Sequence, residues 1–262
     1  MLRYGDRMLD LTYPPVLVAA KTWMRLEGMN FQFSGTEHIP KKGGALIASN
    51  HIGYVDFIFN GLAADRHNRV VRFMAKKEAF EGPVGALMRS LHHIPVDRAD
   101  GDGSLRHAIE WCKQGELVGI FPEATISRSF EIKEFKTGAV RIAADAGVPL
   151  IPMAIWGTQL FKTKDHPSDL WSRGKTIAIR VGEPIEVTGE DPAAETAVLR
   201  AAVAKLLDEA IAEYPLSPEG QWWAPKRLGG TAPTPEEAKR MDVDEYAARA
   251  ARKAAQEGGP VE

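Results

Sequence analysis

The chain has 262 residues, 44% of them hydrophobic and 26% charged, with a net charge of −2 at pH 7, as is typical of one large globular domain. This charge gives no indication of the basic face that nucleic acid binding requires, so no nucleic acid partner is expected. The single cysteine, Cys112, excludes an internal disulfide and a multi-cysteine metal site, and it is consistent with a reducing cytoplasm.

An amphipathic helix is predicted near the N-terminus, over residues 14–28. Its apolar side chains include Trp23, whereas Lys21 and Arg25 lie on another side. Two interpretations are open: the helix packs on its own domain, or it lies in a membrane interface with Trp23 at headgroup depth. The segment lacks the apolar core of a signal peptide, and the apolar stretch over 14–20 is far shorter than the ~20 residues that cross a bilayer. We therefore expect a chain that does not cross a membrane but can lie on one.

Strand and helix signals alternate between residues 43 and 187. The strands are predicted over 45–49, 70–75, 93–97, 117–121, 149–155 and 176–182, and the helices over 55–64, 79–91, 104–114 and 136–146. Ser104 is predicted as an N-cap, and Gly115 and Gly147 as glycines that end helices. This alternation predicts an α/β fold with a mainly parallel sheet flanked by helices.

Two further helices are predicted in the last part of the chain. Asp191 and Pro192 begin a helix that extends to about residue 213. Thr234 and Glu237 form a capping box that begins a polar, alanine-rich helix to about residue 256. The predicted divisions are an N-terminal amphipathic segment (1–34), an α/β domain (35–213) and a helical C-terminal appendage (214–262).

The strongest chemical signal lies between Ala48 and Asp56. A short apolar strand ends just before His51, and Gly53 marks a turn that leads to Asp56, at the start of the next helix, where the helix dipole favours a carboxylate. His51 therefore lies at the carboxyl end of a predicted strand, where open α/β sheets bind their ligands. A carboxylate that fixes the imidazole tautomer and supports its positive charge makes the histidine a general base. His51 and Asp56 are our candidate catalytic pair.

The same spacing occurs at His92 and Asp97, but these two residues lie on a predicted strand. An odd offset along a strand places two side chains on opposite faces, so this pair cannot form a dyad directly. His51 and Asp56 lie on either side of a turn and can meet.

A second polar cluster follows the strand that ends at Phe121. Glu123 can accept hydrogen bonds from substrate hydroxyls, Thr125 can donate or accept them, and Arg128 can bind a phosphate through two nitrogens. Taken alone, this segment also suits a solvated loop. Its predicted position at the same edge of the sheet as His51 favours a binding site, because open α/β sheets bind ligands at the carboxyl ends of their strands. Arg98, which follows another strand, suits a surface ion pair as well as a ligand.

In their order and chemistry, these segments resemble the motifs of the lysophospholipid acyltransferases of the glycerol-3-phosphate and 1-acylglycerol-3-phosphate type. The resemblance covers roughly residues 35–190. The matching positions are Asn50, His51, Asp56, Val96, Arg98, Phe121, Pro122, Glu123, Thr125, Ser127, Val148, Pro149, Ile151 and Pro152. The positions that depart from the family pattern are His92, Pro95, Ala124 and Ile126. Ile126 replaces an arginine that the family associates with the acceptor's phosphate, so that role falls to Arg98 or Arg128, or to a nearby lysine.

The resemblance implies transfer of a fatty acyl group from an acyl thioester to a hydroxyl of lysophosphatidic acid, which gives phosphatidic acid, with His51 as general base and Asp56 holding it. The implied substrate-binding residues are Arg98, Glu123, Thr125 and Arg128. No metal and no cofactor is expected, because acyl-CoA or acyl-ACP serves as co-substrate. The expected partners are a lysophospholipid acceptor, an acyl thioester donor and the membrane surface, with the protein peripheral on the cytoplasmic side. Trp222 and Trp223 are candidates for a further interfacial element.

Three alternatives stay open. Ile126 allows another lysophospholipid or a glycolipid as acceptor. His51, Asp56 and Glu123 could instead hold a divalent metal in a hydrolase. The chain could also be a lipid-binding module without catalysis, although binding alone does not need a proton-transfer pair.

Overall fold

The computed structural model describes residues 3–4, 7–8, 10–97 and 101–257, so the predicted site residue Arg98 lies outside the described residues. The chain divides into two compact units. The first comprises Met1–Ile126 and Glu134–Pro215, and the second comprises Ser127–Lys133 and Leu216–Glu262. The second unit therefore combines an internal loop with the C-terminal part of the chain.

A seven-stranded sheet forms the centre of the first unit. Its strands are β3 (Asn30–Ser34), β4 (Ala45–Ser49), β5 (Val71–Lys76), β6 (Ile94–Val96), β7 (Leu117–Ile120), β8 (Leu150–Trp156) and β9 (Thr176–Val181), and a separate hairpin pairs β1 (Arg3–Tyr4) with β2 (Arg7–Met8). The order across the large sheet is β3-β9-β8-β4-β7-β5-β6. Every neighbouring pair is parallel except β8 and β9, which are antiparallel.

Helices flank this sheet. They are α1 (Tyr13–Leu26), α2 (Asp56–Asp65), α3 (Gly82–Ser90), α4 (Gly101–Lys113), α5 (Gly138–Ala146) and α6 (Pro192–Ala212), and the second unit contains α7 (Pro235–Glu257). Helix α5 packs between α4 and α6, α6 packs on β8 and β9, and α2 contacts β5 and β9. The predicted α/β fold with a mainly parallel sheet is confirmed. Strands β4 and β8 are buried along their whole length, which explains why their sequences are continuous apolar runs rather than alternating ones.

Three helix ends follow the predicted local signals. The Asp191 side chain accepts a hydrogen bond from the backbone of Ala194, and Thr234 and Glu237 form the reciprocal bonds of the predicted capping box. Gly147 ends α5 in the left-handed conformation, at φ 64°. The prediction for Ser104 is wrong, because α4 begins three residues earlier and the Ser104 hydroxyl accepts a bond from the Asp97 amide.

The inner face of α1 packs on its own unit. The Trp23 ring contacts the rings of Phe59 and Phe161, with centroids 6.2 and 5.9 Å apart, and Met24 is buried. Trp23 is half-buried against these rings, as expected where the helix packs on its own domain. The outer face is different, because it exposes Val18 and Leu26. Among the described residues, no helix combines the length and the apolar character needed to cross a bilayer.

Candidate active site

The predicted pair meets just past the carboxyl end of β4. His51 Nδ1 lies 2.8 Å from Asp56 Oδ2, and Asp56 is the first residue of α2. Because Nδ1 faces a carboxylate, it carries the proton, and Nε2 is the ring nitrogen that can accept one. The His51 side chain is 21% exposed, whereas that of Asp56 is fully buried. This geometry suits a general base that is oriented by a carboxylate and reachable by a substrate.

Asp56 is held by four donors. Its Oδ2 accepts hydrogen bonds from His51 Nδ1 and from the backbone amides of Ile52 and Gly53, at 2.8, 2.8 and 2.9 Å. Its Oδ1 accepts a hydrogen bond from the Thr158 hydroxyl at 2.5 Å. These bonds compensate the burial of a charged group and fix the plane of the carboxylate. Within the described part of the chain, no group of three or more His, Cys, Asp or Glu side chains could hold a metal ion.

The Asn50 side chain binds the turn between β4 and α2 to the neighbouring strand β8. Regular pairing of β4 with β8 ends at Ser49 and Met153. The buried Asn50 side chain then donates to the Ile155 carbonyl at 3.0 Å and accepts from the Ile155 amide at 2.8 Å. Asn50 thus continues the strand ladder through its side chain and holds the backbone that carries His51.

Glu123 braces the same turn from the strand on the other side, β7. Its Oε1 accepts a hydrogen bond from the His51 backbone amide at 2.8 Å, and Glu123 is buried. The Phe121 ring stacks on the His51 ring, with centroids 4.2 Å apart and planes 17° apart. The structure therefore brings together His51, Asp56 and Glu123, with the half-buried Thr125 two residues further along. The bond from Glu123 to the His51 backbone is a bracing role that the sequence did not indicate.

Ala124 stands where the motif of the resembling family has glycine, and its backbone conformation is one that favours glycine. It adopts φ 58°, in the left-handed region, and its amide closes a turn onto the Phe121 carbonyl at 2.9 Å. Glycine adopts this conformation freely, whereas alanine is strained there because of its Cβ. Ile126, at the usual arginine position, is buried.

Arg128 belongs to the second unit and is buried among carboxylates. Its guanidinium pairs with Asp242 and with Glu245, both on α7, and Asp242 also pairs with Lys133. A phosphate would therefore have to displace two carboxylates to reach both terminal nitrogens of Arg128. Of the two tryptophans predicted to form a further interfacial element, Trp223 is buried, so that prediction is wrong for Trp223, whereas Trp222 is half-buried.

A cavity of about 700 Å³ opens along β6, the last strand of the sheet. Its lining includes the basic side chains Lys77 and Arg89, and Asp97, which forms an ion pair with Lys77 at 2.9 Å. His93 also lines it, and its ring contacts the Phe73 ring, which stacks on Phe121 beside His51. The volume is typical of small-molecule sites, which span about 300–1,000 Å³.

His93 has a structural role in the fold. Its Nδ1 accepts a hydrogen bond from the Phe73 amide at 3.0 Å. Burial, together with the nearby Arg72 guanidinium, lowers the pKa of His93 to about 4. The imidazole is therefore neutral at physiological pH, and its acceptor nitrogen is already occupied by the backbone.

Comparisons with known proteins show a family and several relatives that this chain resembles. The family model described as Acyltransferase matches residues 30–156. The 1-acyl-sn-glycerol-3-phosphate acyltransferase of Bacillus subtilis (strain 168) is 37% identical over 151 residues, which are 57% of this chain and 70% of that protein. The protein of the same name from Borreliella burgdorferi is 26% identical over 184 residues, 68% of this chain and 70% of that protein. The crystal structure of the 1-acyl-sn-glycerophosphate acyltransferase from Thermotoga maritima has a similar fold, with a TM-score of 0.63 and 24% identity over 77% of this chain and 80% of that chain.

Proposed function

The chain belongs to the acyltransferase family of these relatives, and we propose that it transfers a fatty acyl group from an acyl thioester to a hydroxyl of lysophosphatidic acid, giving phosphatidic acid. The observation that carries this proposal is the buried Asp56, whose Oδ2 lies 2.8 Å from Nδ1 of the partly exposed His51. An alcohol, like water with its pKa of about 15.7, is a weak nucleophile, whereas a thiol with a pKa of about 8.5 leaves readily. A base at the hydroxyl is therefore the main catalytic need.

The step is direct. Nε2 of His51 takes the hydroxyl proton while the oxygen attacks the thioester carbonyl carbon, so a carbon–oxygen bond forms and negative charge develops on the carbonyl oxygen. The carbon–sulfur bond then breaks, and the leaving thiolate takes the proton from the imidazolium, which regenerates neutral His51. Backbone amides around residues 123–125 are our proposed oxyanion donors, except that of Ala124, which already bonds to Phe121.

The acceptor substrate should be bound by side chains close to His51. We propose that Glu123 and Thr125 orient its glycerol hydroxyls and that Arg98 binds its phosphate. The assignment of Arg98 is supported by its sequence position, because it directly follows Asp97, which lines the cavity along β6 together with Lys77, Glu81 and Arg89. Acyl-CoA or acyl-ACP is the proposed co-substrate, and no cofactor is needed, because the thioester itself supplies the activated acyl group.

One observation favours a second candidate, acyl transfer to another lysophospholipid or to a glycolipid. Ile126 is buried at the usual arginine position, and Arg128 is paired with two carboxylates. An acceptor whose headgroup needs fewer cationic side chains to bind its phosphate would suit this arrangement. A panel of lysophosphatidic acid, lysophosphatidylethanolamine, lysophosphatidylcholine and a glycolipid, assayed at equal concentration, distinguishes the two candidates.

A membrane surface is the proposed partner, with the protein peripheral on its cytoplasmic side. The proposed acceptor and product are both membrane lipids, so the enzyme has to meet them at a bilayer surface. The exposed outer face of α1, with Val18 and Leu26, supports such a contact.

The test is thiol release from palmitoyl-CoA with lysophosphatidic acid as acceptor. Replacing His51 with alanine should lower kcat by about 10²–10⁴-fold, as expected for loss of a general base. His67→Gln is the matched control, because His67 bonds to the Thr36 carbonyl, outside the site, and glutamine keeps a donor. Equal acceptor-dependent release by wild type and His51→Ala would reject the base, and no release with any acceptor in the panel would reject the proposed function.

A further inference from the structure

Trp171 is exposed to an unusual degree for a large apolar side chain, at 73%. It lies in the connection between β8 and β9. Hydrogen bonds within this connection fix its conformation. The Ser172 amide donates to the Asp169 carboxylate, and Lys175 Nζ donates to the carbonyls of Asp169 and Ser172. An ordered turn therefore presents the indole to solvent.

The start of this connection contacts the turn that carries the catalytic pair. The Tyr54 amide donates to the Lys162 carbonyl at 2.9 Å, and the Thr163 hydroxyl donates to the Ile52 carbonyl at 2.7 Å. The Lys162 ammonium lies 5.5 Å from the centre of the Tyr54 ring, and Tyr54 is 48% exposed. An exposed aromatic ring thus lies three residues from His51 in the sequence, with the Lys162 ammonium over its face.

The end of the same connection contacts the end of α1. The Gly174 amide donates to the Glu27 carbonyl at 2.8 Å, and the Asn30 side chain donates to the Gly174 carbonyl at 3.3 Å. Leu26, in the last turn of α1, is 64% exposed. The connection therefore joins the exposed end of α1 to the mouth of the site.

We propose that this surface docks on an anionic lipid bilayer and that Trp171 is its main anchor. We name it the Trp171 surface and define it by Arg25, Leu26, Tyr54, Lys162, Trp171 and Arg173, all of which are exposed. Residues 162–175 carry four lysine or arginine side chains and two aspartates, so the connection complements negative headgroups. Indole and phenol rings suit headgroup depth, because one end of each is apolar and the other polar.

This inference rests on the proposed function and deepens it, because it states how the site meets a lipid acceptor. Docking through Trp171 and Tyr54 brings the opening beside His51 to the bilayer surface. A lysolipid can then reach the base without leaving the interface completely. Such a contact does not require a transmembrane helix, because aromatic and basic side chains can bind the bilayer interface without crossing the bilayer.

The first measurement is co-sedimentation with vesicles of phosphatidylcholine, with and without phosphatidylglycerol. Trp171→Ser should weaken binding to the anionic vesicles about tenfold, since a large aromatic side chain no longer leaves water. Trp171→Phe should lose less, because it keeps an apolar ring. Val198→Ser is the matched control, since Val198 is 56% exposed on α6, outside the surface, and it should bind like wild type.

The second measurement separates docking from chemistry. Acyl transfer is assayed with a long-chain acceptor embedded in vesicles and with a short-chain acceptor kept monomeric. Trp171→Ser should lose activity on the embedded acceptor and keep wild-type activity on the monomeric one. An equal loss on both acceptors would overturn the proposal, because Trp171 would then act on the site itself.

The remaining outcomes are also decisive. Wild-type vesicle binding by Trp171→Ser overturns the docking surface, and so does a variant whose only change is dissociation of a dimer, because the surface would then be a protein contact. Trp171-dependent vesicle binding by a protein that acylates neither acceptor supports the docking surface and rejects the proposed function.

Discussion

Thr158 provides the sharpest test of how the catalytic pair is positioned. Its hydroxyl lies 2.5 Å from Oδ1 of Asp56, and both side chains are fully buried. Thr158→Val keeps the shape of the side chain and removes only the hydroxyl. Among the residues that the structure describes, no other group donates to Oδ1 of Asp56, whereas Oδ2 keeps its bonds from His51 and from two backbone amides.

The magnitude follows from the charge on the acceptor. A hydrogen bond to an ionised group contributes about 1.5–3 kcal/mol, so the valine variant should lose about 2 kcal/mol of stability. The freed carboxylate can also turn away from the imidazole. If about 1.4 kcal/mol of this loss appears in the transition state, kcat falls about tenfold. The Michaelis constant for the acceptor should stay unchanged, because Thr158 is buried and does not reach the substrate.

Thiol-release kinetics and urea unfolding together check this reasoning. Thr158→Ser, which retains the hydroxyl, should restore most of kcat and stability. A valine variant that is less stable but turns over at the wild-type rate would refute the positioning role and leave a purely structural one. A raised Michaelis constant at unchanged kcat would refute it as well, because that result describes substrate binding.

Three further predictions concern stability and can be checked by urea unfolding. Ala124→Gly should stabilise the protein by about 1 kcal/mol, because it relieves a left-handed alanine, and an unchanged midpoint would contradict this. The pKa of His93 is about 4 in the folded chain, below its ordinary ~6.5. The unfolded state therefore binds more protons between these values, so stability is complete above pH ~6.5 and falls by about 2 kcal/mol from pH 7 to 5, a loss absent in His93→Gln. Arg128→Met should cost about 3 kcal/mol, because it removes the buried guanidinium that pairs with Asp242 and Glu245, whereas a raised Michaelis constant at unchanged stability would support the phosphate role.

The parts of the fold that the sequence predicted are those with local signals. A continuous apolar run predicts a buried strand, and a capping box predicts a helix start, so β4, β8 and α7 follow from short stretches of chain. The pair of His51 and Asp56 belongs to the same class, because the two residues are five positions apart across one turn.

The features that the sequence did not predict depend on distant contacts or on weak patterns. Thr158 lies 102 residues from Asp56, and Arg128 lies 114 residues from Asp242. No periodicity in either segment indicates the other. Strand β3 is a half-buried strand at the edge of the sheet, with polar and aromatic residues alternating, and it was missed. The antiparallel pairing of β9 with β8 had a signal: the sequence predicts no helix between these two strands, whereas a parallel crossover usually contains an α-helix.

The order of strands explains why these distant residues converge on His51. Strand β4 lies between β7 and β8, so the turn after β4 is flanked by the carboxyl ends of both neighbours. Glu123, beyond β7, binds the His51 backbone, and Thr158, beyond β8, binds Asp56. One neighbouring strand thus holds the backbone of the base, and the other holds its carboxylate. Residues widely separated in sequence act on one hydrogen bond because a parallel sheet brings strand ends together at one edge.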